Sequence, residues 1–276
     1  MKNKTIENKK KISFPHMGTI SYAWSAALRI IGCEPYVEPY TSKKSLSLGT
    51  KHAPEAICLP YKLILGNFIE AIEGGTDYVA MITSPGCCRL GEYGKCIENA
   101  LHDLGYETKY LELQLYDGIK GMYNFLKEAS GKDNPILFGK AILIAMLKVF
   151  MLDNLETKLS YCRAREIKQG DAEKHYQKAL KYIDEQDTLL GLKKAKQQVE
   201  EEMNKVEINP NKEVLYVDIT GEIYVVNDEF SNQNIEKELG RMGVQVRRSL
   251  TVSSFLKDAI IPKIFRKGET HLQRAD

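Results

Sequence analysis

A nearly uninterrupted apolar run, Tyr78–Thr83 with the sequence YVAMIT, is the feature that most constrains the fold of this chain. A strand that buries one face alternates apolar and polar residues, whereas a continuous apolar run indicates a strand buried on both faces. The run lies between two predicted helices, Pro60–Glu73 and Glu92–Leu104, and glycines follow each of them. A strand between two helices of this kind predicts a parallel sheet in an α/β protein.

The rest of the chain extends this alternation of strands and helices. The further predicted strands are Lys11–Phe14, Tyr36–Tyr40 at an edge, Thr108–Leu113, Glu213–Ile219, Glu222–Val226 and Val244–Ser249. The further predicted helices are Thr19–Ile31, Asn232–Met242 and Ser253–Ile261. Residues 117–206 are predicted to be nearly all helical, and residues 171–205 resemble a charged helical hairpin that turns near Gly191.

This order predicts the α/β fold class, with two Rossmann-like lobes built on parallel sheets and a helical insertion between them. The predicted boundaries are a basic N-terminal tail at 1–10, an N-terminal α/β domain with the candidate site at 11–115, a helical segment at 116–210 and a C-terminal α/β unit, possibly truncated, at 211–276. Right-handed crossovers bring the strand-to-helix loops together at one edge of a parallel sheet. A functional site is therefore expected at that edge.

Charge and composition narrow the classes of partner. The chain has 39 basic and 37 acidic residues, a formal charge of +2, which gives no electrostatic reason to expect a nucleic acid or an anionic membrane. The lysine-rich start lacks the apolar core of a secretory signal. The apolar stretch Ile136–Leu152 contains Lys140 and Lys148 and is short for a membrane span, so a buried or amphipathic helix is predicted there. Together with six cysteines, this pattern indicates the reducing cytoplasm.

The cysteines are the residues most suited to chemistry, although none forms the CxxC spacing of a zinc ribbon or a thioredoxin-like site. Cys58 precedes the predicted helix at Pro60, and the adjacent pair Cys87 and Cys88 follows the buried strand just before the next helix. Free N–H groups at a helix start stabilise negative charge and thiolates. A thiolate-bound iron–sulfur cluster carries such charge, and this placement suits it.

The ordinary alternative is that a cysteine acts as a small apolar side chain in the core. This interpretation is favoured for Cys33 and Cys96, which lie within or just after helices, and for Cys162 in the helical region. For Cys58 and Cys88 both interpretations stay open on the residue pattern alone. Cys87 and Cys88 are neighbours whose side chains point apart, so both need not bind one metal.

Four segments resemble a known family, the CoA-substrate-specific activase-related proteins akin to the D component of 2-hydroxyglutaryl-CoA dehydratase. The segments are FPHMG at 14–18, GTKHAPEAICLPYKL at 49–63, PGCCRLGEY at 85–93, and GEIYVV at 221–226 with the helix that follows it. They extend from about residue 11 to residue 265 in matching order and spacing. The resemblance implies two Rossmann-like lobes that hold a low-potential iron–sulfur cluster, expected to be [4Fe-4S].

The resemblance also implies residues and partners. Cys58 and Cys88 match ligand positions, Cys87 is a further candidate ligand, Arg89 is expected to steer an anionic group or a partner, and Glu222 matches an acidic position of unassigned role. The implied partners are an ATP-dependent activase of the actin-like class and an acyl-CoA substrate, in a possible homodimer or heterodimer. The sequence has neither GxxxxGK[ST] nor GxGxxG, so ATP hydrolysis is expected to fall to the partner.

Three functions stay open at this point. The first is electron acceptance from the activase for a low-potential reduction or dehydration of a 2-hydroxyacyl-CoA, as in a lyase component or reductase. The second is a non-catalytic accessory subunit of an activase or dehydratase system. The third is a zinc-binding structural protein. Relatives extend past this C-terminus into a further cysteine-containing segment, and two cysteines are fewer than the three or four ligands that a four-iron cluster needs.

Overall fold

A four-stranded parallel sheet forms the centre of the N-terminal part of the protein. The computed structural model describes residues 9–83 and 88–257. The strands are β1 (Lys11–Ser13), β2 (Glu34–Tyr36), β3 (Tyr78–Thr83) and β4 (Lys109–Gln114), and the order across the sheet is β2-β1-β3-β4. All three strand pairs are parallel. The predicted α/β fold class with parallel strands is confirmed.

Helices cover both faces of this sheet. The helices of the N-terminal part are α1 (Ile20–Ile30), α2 (Lys43–His52), α3 (Leu59–Glu73), α4 (Tyr93–Asp103) and α5 (Ile119–Ser130). Along β3, Ala80 packs into the core formed with α1 and α5, whereas Val79 and Met81 pack into the core formed with α3 and α4. The central strand is therefore buried on both faces, as its apolar sequence predicted.

Helix α2 was not predicted, and the strand expected at Tyr36–Tyr40 was wrong in its position, since β2 covers Glu34–Tyr36 at the edge of the sheet. Helices α2 and α3 cross in backbone contact through two glycines. A Cβ atom on Gly49 would lie 1.6 Å from the carbonyl oxygen of Lys62, and one on Gly66 would lie 1.8 Å from that of Ser45. This contact holds α3 in place.

Three helices form the middle of the chain: α6 (Pro135–Arg165), α7 (Asp171–Asp184) and α8 (Leu189–Met203). The hairpin of α7 and α8 turns at residues 185–188, close to the predicted pivot near Gly191. Gly191 itself lies in the first turn of α8, and its amide donates a 3.1 Å hydrogen bond to the hydroxyl of Thr188, which caps the helix. Side-chain capping at Thr188 satisfies a free helix amide, and this fixes where α8 begins.

Among the described residues, α6 is the one helix whose length and composition would allow it to cross a membrane. Within the protein it packs against α1, α5, α7 and α8. Its Lys148 side chain is fully buried, with Nζ 3.0 Å from Asp187 Oδ1, and Arg29 Nε lies 2.7 Å from Oδ2 of the same carboxylate. A buried ammonium needs such a partner. Because Asp187 lies in the α7–α8 turn, these two ion pairs join α6 and α1 to that turn.

The C-terminal part contains a second parallel sheet. It consists of β5 (Leu215–Ile219) and β6 (Val244–Arg248), with α9 (Ile223–Asn227) and α10 (Ile235–Arg241) between them. The strand predicted at Glu222–Val226 was wrong, because these residues form α9. The helix predicted at Ser253–Ile261 is present at residues 252–257, and the remainder lies outside the described residues. The domain boundaries stay predictions.

The glycine contact between α2 and α3 gives a stability prediction. Replacing Gly66 by alanine forces a methyl group against the Ser45 carbonyl, and we expect a loss of about 1–3 kcal/mol in the free energy of unfolding. Gly139 is the matched control, since it is an exposed glycine of α6 whose added Cβ meets nothing within 4 Å. Gly139→Ala should stabilise by about 0.5–1 kcal/mol. Urea denaturation measures both; equal effects would contradict the proposed backbone contact.

Candidate functional site

The carboxyl ends of β1 and β3 lie side by side at one edge of the four-stranded sheet. The chain moves outward from β1 to β2 in one direction and from β3 to β4 in the other, so this edge has a topological switch point between β1 and β3. Ligands of doubly wound proteins bind at such a crevice. The loop after β3 leads to Cys88, whereas Cys87 lies outside the described residues.

Cys58 and Cys88 both stand at helix starts, as the sequence predicted. Cys58 is the N-cap of α3, with Pro60 in the first turn, and its side chain is half-buried. Cys88 is the N-cap of the short 3₁₀ helix Arg89–Glu92, which runs directly into α4, and it is exposed. Neither side chain caps its own helix with a hydrogen bond. The free amides of both helix starts therefore remain close to the sulfur atoms.

The hydroxyl group of Tyr93 interacts with both cysteines. Burial raises the pKa of Tyr93, and a hydrogen bond between its hydroxyl and Cys58 raises it further. The negative charges of Cys58, Cys88 and Glu222 act in the same direction. Because the hydrogen bond favours the protonated phenol, Tyr93 is the donor and the sulfur of Cys58 the acceptor. Cys58, Cys88 and Glu222 thus all act on one buried hydroxyl.

Tyr93 forms an aromatic pair with Tyr61, which in turn is influenced by Cys96. The ring of Tyr61 on α3 packs edge-on against Tyr93 on α4, with ring centroids 5.3 Å apart. Burial raises the pKa of Tyr61 to about 12, with a smaller contribution from Cys96. Both tyrosines were missed from the sequence, although Tyr61 follows Cys58 by three residues and Tyr93 follows Cys88 by five, each near a predicted helix start.

The remaining cysteines divide into two kinds. Cys33 and Cys162 are buried, and burial raises the pKa of both thiols, so the prediction that they are small apolar core residues is confirmed. The same prediction for Cys96 was wrong, since Cys96 is exposed on α4. The buried face of α4 is formed by Tyr93, Ile97 and Leu101, which follow the helical repeat. Cys96 falls outside that repeat.

The two charged residues singled out beside the cysteines differ in their surroundings. Arg89 is exposed and makes no ion pair with another described residue. Glu222 caps α9, since its Oε2 accepts a 2.9 Å hydrogen bond from the amide of Val225. This capping explains why an acidic residue stands at this position, and it places the carboxylate near Tyr93.

The supply of metal ligands is limited in the described part of the chain. Residues 9–83 and 88–257 contain no group of three or more histidine, cysteine, aspartate or glutamate side chains placed to hold a metal ion. Cys58 and Cys88 supply two sulfurs, and a cubane cluster needs three or four ligands. The residues fit such a cluster only with Cys87 or with a ligand from outside the described residues.

Two buried polar residues that the sequence analysis did not select lie at the same edge of the sheet. Glu38 accepts a 2.6 Å hydrogen bond from Ser13 at the end of β1. Its backbone carbonyl lies 2.5 Å from Nε2 of His16. Burial raises the pKa of Glu38 to about 8, a shift that the Ser13 hydroxyl opposes and the charge of Glu70 increases. Glu38 is therefore largely protonated at neutral pH.

The described residues form an α/β protein with parallel sheets, in which Cys58 and Cys88 stand at helix starts. Comparison with protein families gives a match over residues 16–250 to the family described as CoA enzyme activase uncharacterised domain (DUF2229). The chain belongs to this CoA-activase-related family. No curated protein matches the chain.

The raised pKa of Glu38 predicts a pH dependence of stability. In the unfolded chain this carboxyl titrates near 4.5, and in the folded protein near 8, so the folded state holds more protons between these values. The contribution of Glu38 to the free energy of unfolding is fully present below pH 4.5. It is lost as the pH rises toward 8, with a slope of at most about 1.4 kcal/mol per pH unit. Burial lowers the pKa of His16, which acts in the opposite direction near pH 6.5.

Glu38→Gln keeps the acceptor for Ser13 and removes the titration, so the variant should not show this loss. The measurement is urea denaturation between pH 5 and 8, taken as the difference between wild type and variant so that His16 cancels. Glu34→Gln, at an exposed position of β2, is the control. A difference that stays constant over this pH range would contradict the assignment.

Proposed function

We propose that this chain is a cytoplasmic iron–sulfur protein related to components of 2-hydroxyacyl-CoA dehydratases. Cys58 and Cys88 are the proposed ligands, with Cys87 as the third, and [4Fe-4S] is the proposed cluster. The observation that carries the proposal is that Cys58 and Cys88 stand at two different helix starts, and that Tyr61 and Tyr93, from the first turns of the helices that follow, pack against each other with ring centroids 5.3 Å apart. The influence of both cysteines on the pKa of Tyr93 agrees with this arrangement. Membership of the CoA-activase-related family supports it.

Each part of the site has a physical task in this proposal. The free amides at the starts of α3 and of the 3₁₀ helix stabilise the negative charge of the thiolates. Tyr93 donates a hydrogen bond to Cys58 and so orients that sulfur. The apolar core around Tyr61 and Tyr93 keeps water from one side of the site. When bound, a low-potential cluster supplies single electrons.

The proposed partners follow from the same family. An ATP-dependent activase of the actin-like class would supply the electrons, since the sequence has no phosphate-binding loop of its own. An acyl-CoA would be the acceptor in a reduction or dehydration. The exposed Cys88 and Arg89 give both partners access to this edge of the sheet.

A second candidate function is a non-catalytic accessory subunit of an activase or dehydratase system. The small number of metal ligands favours it, because no three candidate ligand side chains of the described residues lie together. In that case the protein would bind the activase and remain free of iron. Iron content therefore separates the two functions.

Iron binding should depend on the two cysteines together. Protein purified without oxygen should contain iron and acid-labile sulfide and, after reduction with dithionite, show an EPR signal. Cys58→Ala combined with Cys88→Ala should reduce the iron per chain to background, because both proposed thiolate ligands are gone. Circular dichroism of the variant checks that the fold is retained.

Cys96→Ala is the matched control, since Cys96 is also an exposed cysteine near the aromatic pair and is not a proposed ligand. This variant should keep its iron and its EPR signal. An unchanged signal in the double variant would show that the proposed ligands are wrong. A wild type without iron that still captures the activase would favour the accessory function, and a wild type with zinc would favour the structural one.

Tyr93→Phe should change the reduction potential without removing the iron. The phenol donates a hydrogen bond to Cys58, and such a bond stabilises the more negative, reduced state of an iron–sulfur centre. Its loss should therefore shift the potential to more negative values in a redox titration followed by EPR. Tyr61→Phe is the control, since burial and Cys96, rather than Cys58, raise the pKa of Tyr61. A potential equal to that of the wild type in Tyr93→Phe would contradict the proposed hydrogen bond.

A further inference from the structure

A large polar cleft lies apart from the cysteines. Its volume is about 370 Å³, and it is enclosed by the loop after β1, the helices α6 and α7, and the segment from α9 to α10. None of the cysteines in the described part of the chain lines it. Neither the proposed cluster nor the sequence motifs assign it a role.

Among the described residues that line the cleft, carboxylates outnumber cationic side chains. Five carboxylates line it, against three cationic side chains: Glu156, Glu173, Asp228, Glu229 and Glu236, with Arg163, Lys237 and Arg248. The two arginines are already engaged. Arg248 bonds to both Glu156 and Glu236, and Arg163 Nη2 lies 2.7 Å from Glu173. Asp228 accepts hydrogen bonds from the amide and the hydroxyl of Ser231, and neither Asp228 nor Glu229 forms an ion pair with another described residue. Even with Lys237 counted, the described carboxylates of the cleft outnumber its cations by two.

The titration of the cleft carboxylates agrees with this shortage. Burial raises the pKa of Glu229, although Arg163, Lys237 and Arg248 oppose the shift. Burial likewise raises the pKa of Glu156 despite its bond to Arg248. The cations present do not fully compensate the buried carboxylates.

His16 lines the cleft, is only 4% exposed, and has an unpaired ring nitrogen. Its Nε2 bonds to the backbone carbonyl of Glu38, and a carbonyl oxygen can only accept, so Nε2 carries the proton. Burial lowers the pKa of His16, which keeps the ring neutral. Nδ1 is therefore a buried acceptor without a donor.

Asn232 provides a second unpaired acceptor in the same cleft. Its amide nitrogen donates a 3.2 Å hydrogen bond to the carbonyl of Val226, which fixes the orientation of the amide group. Its Oδ1 is buried and has no partner. Both residues line the cleft, and their two buried acceptor atoms each lack a donor.

We propose that this cleft binds a small organic cation that carries N–H donors, a primary amine or a guanidinium compound. Its charge lies near Asp228 and Glu229, and its N–H groups reach His16 Nδ1 and Asn232 Oδ1. Tyr40, Tyr176 and Phe230 also line the cleft. Their rings offer apolar contact to the alkyl part of the ligand and a cation–π interaction to its charge. An anion would meet the uncompensated carboxylates, which excludes the phosphates of an acyl-CoA from this site.

Isothermal titration calorimetry of the full chain tests the proposal. The probes are putrescine and agmatine, compared with tetramethylammonium, which has charge but no N–H donor, and with 1,4-butanediol, which has the carbon chain without the charge. We expect putrescine or agmatine to bind at least about tenfold more tightly than both control compounds. Failure of both amines to do so overturns the proposal, and this comparison needs no variant.

A pair of variants locates the site. Glu229→Gln removes one uncompensated carboxylate with little change in shape and should weaken amine binding about tenfold. Glu238→Gln is the matched control, because Glu238 is an exposed residue of α10 that pairs with Arg241 outside the cleft, and it should bind as the wild type does. Equal weakening in both variants, or in neither, places the amine elsewhere and overturns the proposal. A thermal melt confirms that both variants are folded.

Discussion

Burial of β3 on both faces determines the arrangement of the N-terminal part of the protein. A strand whose side chains alternate between two cores needs helices on each side, and here α1 and α5 cover one face while α3 and α4 cover the other. Parallel crossovers then bring every strand-to-helix loop to one edge. Cys58, Cys88, His16 and Glu38 lie at this edge because each follows the end of a strand or precedes the start of a helix that leads into one.

The elements that the sequence predicted well are those whose signal is local. The strand Tyr78–Thr83 and the helix that ends at Glu73 have apolar patterns and glycine stops within their own residues. Helix α2 has few apolar residues, and its place depends on the close contact of Gly49 with α3, which only the folded chain provides. The residues of α9 include Ile223, Val225 and Val226, which favour strands, yet Glu222 caps them as a helix. Capping by a neighbouring residue therefore outweighed the strand propensity of these side chains.

The same division applies to the candidate site. The positions of Cys58 and Cys88 at helix starts followed from neighbouring residues, so the sequence was sufficient to predict them. Tyr93 could not be selected, because its relation to Cys58 arises from the packing of α4 against α3. The polar cleft could not be predicted from the sequence, since its walls come from segments more than a hundred residues apart. The unpaired ring nitrogen of His16 is likewise visible only once the neighbours of this residue are known.

Helix α9 connects the two sites physically. Its N-cap, Glu222, lies near Tyr93, and its last residue, Asn227, lines the polar cleft. Gly18, at a φ of 70°, approaches the carbonyl of Asn227 so closely that a Cβ atom would lie 2.9 Å from that oxygen. The loop after β1 and the end of α9 are thus held in one arrangement. A displacement of α9 by a ligand in the cleft would therefore also move Glu222 relative to Tyr93, because a helix of five residues with both ends packed has no flexible joint between them.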